Sequence, residues 1–355
     1  MDLPVRVAIV GCGNIAGPYA ASLVAYPETR LVGVADLDLA RAAALAAHHG
    51  CLAYPDVASL LSDPEVDVVV NLSVHTAHYA VTKAALEAGK HVYSEKPLAL
   101  TSGQARELVR LAGQRGLRLS CSPFTFLGEA QLAAWRAVEE GALGRVRLAY
   151  AEVNWGRIES WHPAPQAFYE VGALFDVGVY PLTLLTAMFG PARHVQAYGR
   201  VLKPERTTKR GEAFTVTTPD FVSAAVELEA GVLVRLTTNF YVDHRASQQG
   251  VELHGDNGSL HLSSWQEPNA TVRVARFGEG YEPLGDHTTA KMRWGDGVLE
   301  LARALAEDRP ALVTGEHAAH VVDILVAISE SVADGQPKAV TSGFARPRRP
   351  EGKTA

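Results

Sequence analysis

The apolar, β-branched stretch Val5–Val10 runs straight into Gly11-Cys12-Gly13-Asn14-Ile15-Ala16, and an Ala- and Leu-rich segment of helical spacing follows at once. A strand that turns through two glycines and restarts as a helix limits the chain to few folds. Gly11 permits a tight turn, Gly13 lets the backbone approach a ligand, and the small Ala16 lets helix and strand pack closely. The spacing is G-x-G-x-x-A, the dinucleotide fingerprint. In that motif the start of the helix, here Asn14 and Ile15, offers unpaired N–H donors and a partial positive charge to phosphates. Taken alone, it is also the pattern of an ordinary strand-to-helix turn, so the surrounding residues must decide.

They decide for a nucleotide fold. Short apolar runs at Val5–Val10, Leu31–Ala35, Val66–Asn71, His91–Tyr93 and Arg118–Cys121 alternate with helical patterns at Ile15–Ala25, Leu39–Ala47, Ala77–Ala88 and Ser102–Arg115. Strands apolar on both faces, alternating with helices, describe βαβ units in a doubly wound parallel sheet, the α/β Rossmann arrangement. Asp36 ends the second strand at the spacing of the acidic group that binds the adenosine ribose. A carboxylate there accepts hydrogen bonds from the ribose hydroxyls and repels a 2′-phosphate, which favours NAD over NADP. Arg41 is the nearest basic group that would suit the phosphate. Asp36 on its own also reads as the N-cap of the next helix.

After Ser122 the pattern changes. A helix at Leu127–Glu139 leads into long strands at Val146–Trp155, Val195–Val201, Phe221–Leu228 and Val232–Tyr241. Shorter strands follow at Val251–His254, Ser259–Leu262 and Thr271–Ala275, and helices return at Gly297–Ala306 and Glu316–Ala333. This describes an α+β domain with a largely antiparallel open sheet. The expected division is 1–122 for NAD(P) binding, 123–343 for substrate binding and oligomerisation, and 344–355 as a mobile Pro- and Arg-rich tail. A chain of 355 residues is long enough for two cores. The net charge of −6 carries no long single-sign run, which argues against a nucleic-acid surface. Cys12, Cys51 and Cys121 form no CxxC pair, so neither a disulfide framework nor a zinc site is expected. Met1–Val10 shows no basic region followed by a long apolar stretch, so a secretory signal is not expected. The apolar runs, such as Val66–Val70, fall short of the roughly 20 residues of a membrane helix. The expected compartment is the cytoplasm.

A second motif, His91-Val92-Tyr93-Ser94-Glu95-Lys96-Pro97-Leu98-Ala99, gives the chain a family likeness. Following this Rossmann start, it resembles the Gfo/Idh/MocA family, named for glucose–fructose oxidoreductase, inositol dehydrogenase and a rhizopine-catabolism protein. The likeness extends to Asn71-Leu72-Ser73-Val74-His75-Thr76-Ala77-His78, where many members carry Thr-Pro and this chain has Val74 in place of the proline. It includes Asp176-Val177-Gly178-Val179-Tyr180, which matches D-x-G-x-H/Y with the tyrosine of the glucose–fructose oxidoreductase and dimeric dihydrodiol dehydrogenase branches.

The resemblance implies residue roles. Lys96 would lie near the nicotinamide ribose and the substrate hydroxyl, with Pro97 reached through a cis peptide and Glu95 holding that loop and touching the cofactor. Asn71, Ser73, His75 and His78 would line the same side. Asp176 and Tyr180, four residues apart on a helix beginning near Asp176, would share a face turned toward Lys96. A free tyrosine titrates at about 10, and a nearby ammonium lowers that value. Tyr180 is therefore the expected acid/base and Lys96 its electrostatic partner, although Lys96 could itself carry the proton. Asp176 would bind a substrate hydroxyl or relay a proton. Trp155, Trp161, His162 and Tyr169 precede the Asp176 segment; aromatics there could stack on a sugar ring, with His162 bonding a hydroxyl, or simply pack. The pairs His75/His78 and His317/His320 lack a matching carboxylate or cysteine, so no metal is expected.

The expected activity is NAD-dependent hydride transfer to or from a secondary alcohol or ketone of a sugar, sugar derivative or cyclic polyol. The alternatives are a dihydrodiol dehydrogenase-like or NADP-dependent carbonyl reduction, and a non-catalytic NAD-binding sensor. Family members dimerise or tetramerise through the open sheet, so a homodimer or homotetramer is expected, with no nucleic-acid or membrane partner.

Overall fold

The computed structural model describes residues 1–291 and 293–350. The chain divides into two compact units, Met1–Phe124 with Arg293–Val322, and Thr125–Met292 with Asp323–Ala355.

The first unit begins β1 (Val5–Val10), α1 (Ala16–Ala25), β2 (Thr29–Ala35), α2 (Leu39–His49), β3 (Leu52–Ala53), α3 (Val57–Ser62) and β4 (Val68–Asn71). It continues α4 (His78–Glu87), β5 (His91–Ser94), α5 (Ser102–Gln114) and β6 (Leu119–Cys121). The six strands form one parallel sheet in the order β3-β2-β1-β4-β5-β6, the doubly wound order that reverses at β1. Every residue of β4 is buried, as a strand covered on both faces requires. Side chains cap most of the helices: Asp38 accepts from the N–H groups of Ala40 and Arg41, Asp56 from Ser59, and Thr101 from Gln104. Gly50 closes α2 in the left-handed region at φ 68°. Residues β3 and α3 were not legible in the sequence, because two and six residues are too few to show a period.

The second unit holds α6 (Glu129–Glu139), β7 (Val146–Asn154), α7 (Gln166–Ala173), a π-helical turn Leu174–Gly178 and α8 (Val179–Phe189). Strands follow: β8 (Ala192–Arg200), β9 (Glu205–Thr207), β10 (Ala213–Thr215), β11 (Phe221–Leu228), β12 (Leu233–Asn239), β13 (Gly250–Gly255), β14 (Gly258–Leu262), β15 (Val272–Arg276) and β16 (Glu282–Pro283). The chain then forms α9 (Asp296–Ala306), α10 (Gly315–Asp334) and β17 (Lys338–Ala339). Nine strands make one mixed sheet in the order β16-β15-β14-β13-β7-β12-β11-β8-β17, antiparallel except where β12 runs parallel to β7. Alternation is strict on β11: Val222, Ala224, Val226 and Leu228 are buried while Ala225 and Glu227 are exposed.

Helix α9 packs with the first unit. Its apolar face, Val298, Leu301, Ala302 and Leu305, joins the core of Val5, Ile9, Tyr19 and Leu23. Gly297 admits the close approach, since a Cβ there would sit 2.2 Å from the Tyr93 hydroxyl oxygen.

Two expectations need correction. Asp176 does not begin a helix: the helical run starts at Gln166, kinks at Gly172 (φ 80°) and passes Asp176 in the π-helical turn. That run, Gln166–Phe189, is also long and apolar enough by composition to cross a membrane, although the separate sequence runs looked too short. Its most apolar window is 83% buried inside the protein, as a core helix is. The tail residues Arg346 and Arg349 are bonded, to the Met188 carbonyl and the Glu139 carboxylate. Residues 351–355 of the expected tail lie outside the described residues.

Candidate active site

The glycine loop follows β1 with Gly11 at φ 99°, where a Cβ would come within 2.6 Å of the Leu72 carbonyl oxygen. Only glycine fits there. Gly13 faces open space, with nothing within 4 Å of where a Cβ would stand, and both Gly13 and Asn14 are exposed. Ala16 is buried and Ile15 half-buried. No side chain caps the N-terminus of α1 at Ile15, in contrast to α2, α3 and α5. Open backbone beside an uncapped helix start fits a pyrophosphate, which would take the place of the cap.

Asp36 stands at the end of β2. One carboxylate oxygen accepts the Cys12 N–H at 2.6 Å, the other the Asp38 N–H at 2.7 Å. It thus ties the glycine loop to the β2 turn, and a carboxylate has further acceptor positions for ribose hydroxyls. It does not cap α2; Asp38 does. Burial pushes the Cys12 thiol up to about 12, with the Asp36 charge adding to it, so Cys12 is a packing residue. Leu37 is fully exposed and Val74 is 63% exposed at the same carboxyl edge of the sheet. Nothing in the sequence marked these apolar side chains as exposed, because exposure depends on distant packing.

Around Lys96 a buried polar network holds the loop. Glu95, itself buried, accepts the Tyr19 hydroxyl at 2.6 Å and the Ser122 hydroxyl at 3.0 Å on one oxygen, and the Lys96 N–H at 3.0 Å on the other. The Tyr93 hydroxyl lies 2.9 Å from Ser122. Burial, with the Glu95 charge next, drives both tyrosines well above their ordinary value, so they remain neutral donors. Lys96 is half-buried, and Pro97 follows it through a cis peptide. The sequence singled out neither Tyr19 nor Ser122. A tyrosine on the buried apolar face of α1, with Ala16, Ala20 and Leu23, was the available signal.

The β4–α4 corner is held by the side chains of Asn71 and His78. Asn71 is fully buried, giving its amide to the His78 carbonyl and Thr82 and accepting from the Ser73 N–H and hydroxyl. The buried His78 ring has Nδ1 2.7 Å from the Pro97 carbonyl and Nε2 3.0 Å from the Ser73 carbonyl, while His75 lies 5.9 Å from it, centre to centre. Desolvation lowers the His78 pKa, outweighing the two carbonyls and Glu95. A neutral ring donates only one of these two bonds. His78 therefore hydrogen-bonds one of the two loops and packs its other ring nitrogen against the second.

In the second unit Asp176 is buried and Tyr180 half-buried, and the Tyr180 ring lies 5.0 Å from that of Trp265. Trp265 in turn lies 5.7 Å from Trp155. Trp161 is 46% exposed and packs edge-on against His162 and Phe168, and His162 Nδ1 turns back to the Ala164 carbonyl at 2.8 Å. The segment carrying Trp161 is anchored at Glu159 by the fully buried Arg206, which also bonds Tyr169 and Asp220. Neither Trp265 nor Arg206 was found from sequence.

The likeness of this site to known proteins is broad. A sequence model of the Gfo/Idh/MocA oxidoreductase family with NAD-binding Rossmann fold matches residues 5–122, and one of its C-terminal domain matches 132–261. A dTDP-3,4-didehydro-2,6-dideoxy-alpha-D-glucose 3-reductase of Streptomyces violaceoruber is 32% identical over 86% of this chain and 88% of its own. The chain belongs to the Gfo/Idh/MocA oxidoreductase family. Other similar proteins include a trans-1,2-dihydrobenzene-1,2-diol dehydrogenase of Oryctolagus cuniculus, 32% identical over 63% of this chain and 66% of that one. The fold matches the crystal structure of an NAD-binding oxidoreductase from Klebsiella pneumoniae with a TM-score of 0.82, at 23% identity, over 95% of this chain and 99% of the other. As a Gfo/Idh/MocA member, the chain is an oxidoreductase with an NAD(P)-binding Rossmann fold.

Proposed function

We propose that this Gfo/Idh/MocA oxidoreductase moves a hydride between NAD and a secondary hydroxyl, or the matching ketone, of a sugar, sugar derivative or cyclic polyol. The observation that carries the cofactor choice is the Asp36 carboxylate, fixed by two backbone donors beside the open Gly13 backbone. Placed there, it favours two ribose hydroxyls and opposes a 2′-phosphate. Gly11, Gly13, Asn14, Ile15 and Ala16 cradle the pyrophosphate. Asn71, Ser73, His75, His78, Glu95, Lys96 and Pro97 shape the nicotinamide side, the buried ones by holding the loops.

The bound nicotinamide supplies the hydride chemistry. The chain supplies position and a proton path: Tyr180 takes or gives the hydroxyl proton, Lys96 stabilises the tyrosinate, and Asp176 orients a neighbouring substrate hydroxyl. The Glu95 network keeps the Lys96 backbone in one place. The sugar class is supported by the Streptomyces relative, which is named for a dideoxyglucose substrate. The dihydrodiol dehydrogenase relative supports a second substrate class, cyclic diols. We further propose a cytoplasmic homodimer or homotetramer built on the exposed sheet face, with 1–122 binding nucleotide and 123–343 binding substrate.

Fluorescence titration with NADH and NADPH, followed by a sugar, polyol and diol screen at 340 nm, tests this reading. Tighter NADH than NADPH binding and turnover of a sugar or polyol is the expected result. An NADPH preference overturns the Asp36 argument, turnover of diols alone overturns the sugar class, and binding of neither nucleotide overturns the whole.

A further inference from the structure

The second unit contains a cavity of about 710 Å³ walled by Trp155, Trp161 and Trp265. Its volume lies in the range, roughly 300–1,000 Å³, of pockets that hold whole small molecules. Neither Asp176 nor Tyr180 is among its lining residues, whereas Trp265, the ring next to Tyr180, is. A molecule reacting at Tyr180 therefore reaches this cavity only with a part remote from the reacting carbon.

The lining selects the chemistry of that part. The half-buried Trp155 and the exposed Trp161 offer flat apolar surface, with the buried Trp265 ring packed against Trp155, and the C–H faces of a sugar ring are apolar while its edge carries hydroxyls. The cationic side chains around the cavity are already engaged. The Arg157 guanidinium lies 4.7 Å over the Tyr241 ring, and Arg245 makes a two-pronged pair with Asp243 at 2.8 and 2.9 Å. Glu267 adds another carboxylate to the lining. Asp243 and Glu267 offset Arg157 and Arg245, and His244 also faces Asp243 at 3.8 Å, so the lining carries no fixed positive surplus to receive a diphosphate.

We propose that this cavity is a distal carbohydrate subsite, in which the second ring of an uncharged glycoside stacks on the indoles while its first ring presents a hydroxyl to Tyr180. This rests on Tyr180 being the acid/base group of the proposed reaction. The occupant differs in kind from a sugar nucleotide, whose diphosphate the lining does not accommodate.

The test uses the full chain saturated with NAD. Initial rates at 340 nm are compared for methyl glycosides, the corresponding disaccharides and a dTDP-hexose, in gluco, galacto and manno series. The expected result is a kcat/KM at least tenfold higher for a disaccharide than for its methyl glycoside, carried mainly by KM. In Trp155→Ala that ratio falls toward one. Equal values for one and two rings, or a ratio untouched by the substitution, overturn the proposal, as does a preference for the dTDP-hexose. Tryptophan fluorescence titration separates failure of the subsite from failure of the redox reading. Quenching by a disaccharide that weakens in Trp155→Ala upholds the subsite even without turnover. No quenching by any disaccharide of the panel sinks it.

Discussion

Asp36 makes two backbone bonds before any nucleotide is considered, so replacing it acts on both loop and ligand. In Asp36→Ala the NADH Kd is expected to rise about tenfold, the equivalent of about 1.4 kcal/mol, while NADPH binding changes less. Paired titrations check this, and an unchanged preference would count against the ribose role. Tyr180→Phe keeps the ring packed on Trp265 and removes only the hydroxyl. Its kcat is expected to fall by about 10²–10⁴ with NADH affinity retained; a mild loss would move the proton to Lys96. His317 makes a pH prediction. It is buried, and burial, with His320 next, lowers its pKa to about 3 from 6.5. Above pH 6.5 both folded and unfolded forms are neutral there, and its contribution to stability is fully present. As pH falls from 6.5 toward 3 the unfolded chain binds a proton that the folded chain refuses. Stability is then lost at up to about 1.4 kcal/mol per unit. Urea unfolding at pH 7.5, 6 and 5 should show the decline, and His317→Gln should flatten it.

At the scale of elements, the helix that carries Asp176 and Tyr180 depends on its kink. Gly172 sits at φ 80°, and a Cβ there would stand 2.8 Å from the Thr218 methyl. Gly172→Ala is expected to cost about 1–3 kcal/mol and to lower Tm by about 2–10 °C, with kcat falling because the π-helical turn follows directly. Thermal unfolding beside the rate assay measures both. Apart from the two-residue β3, the strands of the first sheet were legible, as β1 and β4 show: both are apolar on both faces and end in turn residues. Helix α7 was not legible: Pro163, Pro165 and Gly172 read as breakers, and its first turn is set by packing of Tyr169 against Phe240. Strands β9, β10 and β17, of two or three residues, exist only through the partners they pair with.

For the whole molecule, the long sheet presents a polar and aromatic face. Arg235 stacks 3.8 Å over Tyr150 and bonds Glu152, while Tyr198 is 61% and Leu233 47% exposed on the same side. An oligomer through this face predicts that Tyr198→Glu with Leu233→Glu yields monomer by light scattering while NADH binding persists. A wild-type monomer at micromolar concentration would refute the interface. Sequence alone determined the glycine loop, the alternation of the Rossmann half, Asp36 and the three segments of family likeness, because turn chemistry and periodicity act over a few residues. It could not show that Glu95 is caged by Tyr19, 76 residues earlier in the chain, or that α9 returns to the first core. Nor could it show that Trp265 is the residue beside Tyr180. Those pairings depend on which distant side chains share a dry space, and burial and long-range hydrogen bonding are properties of the packed chain.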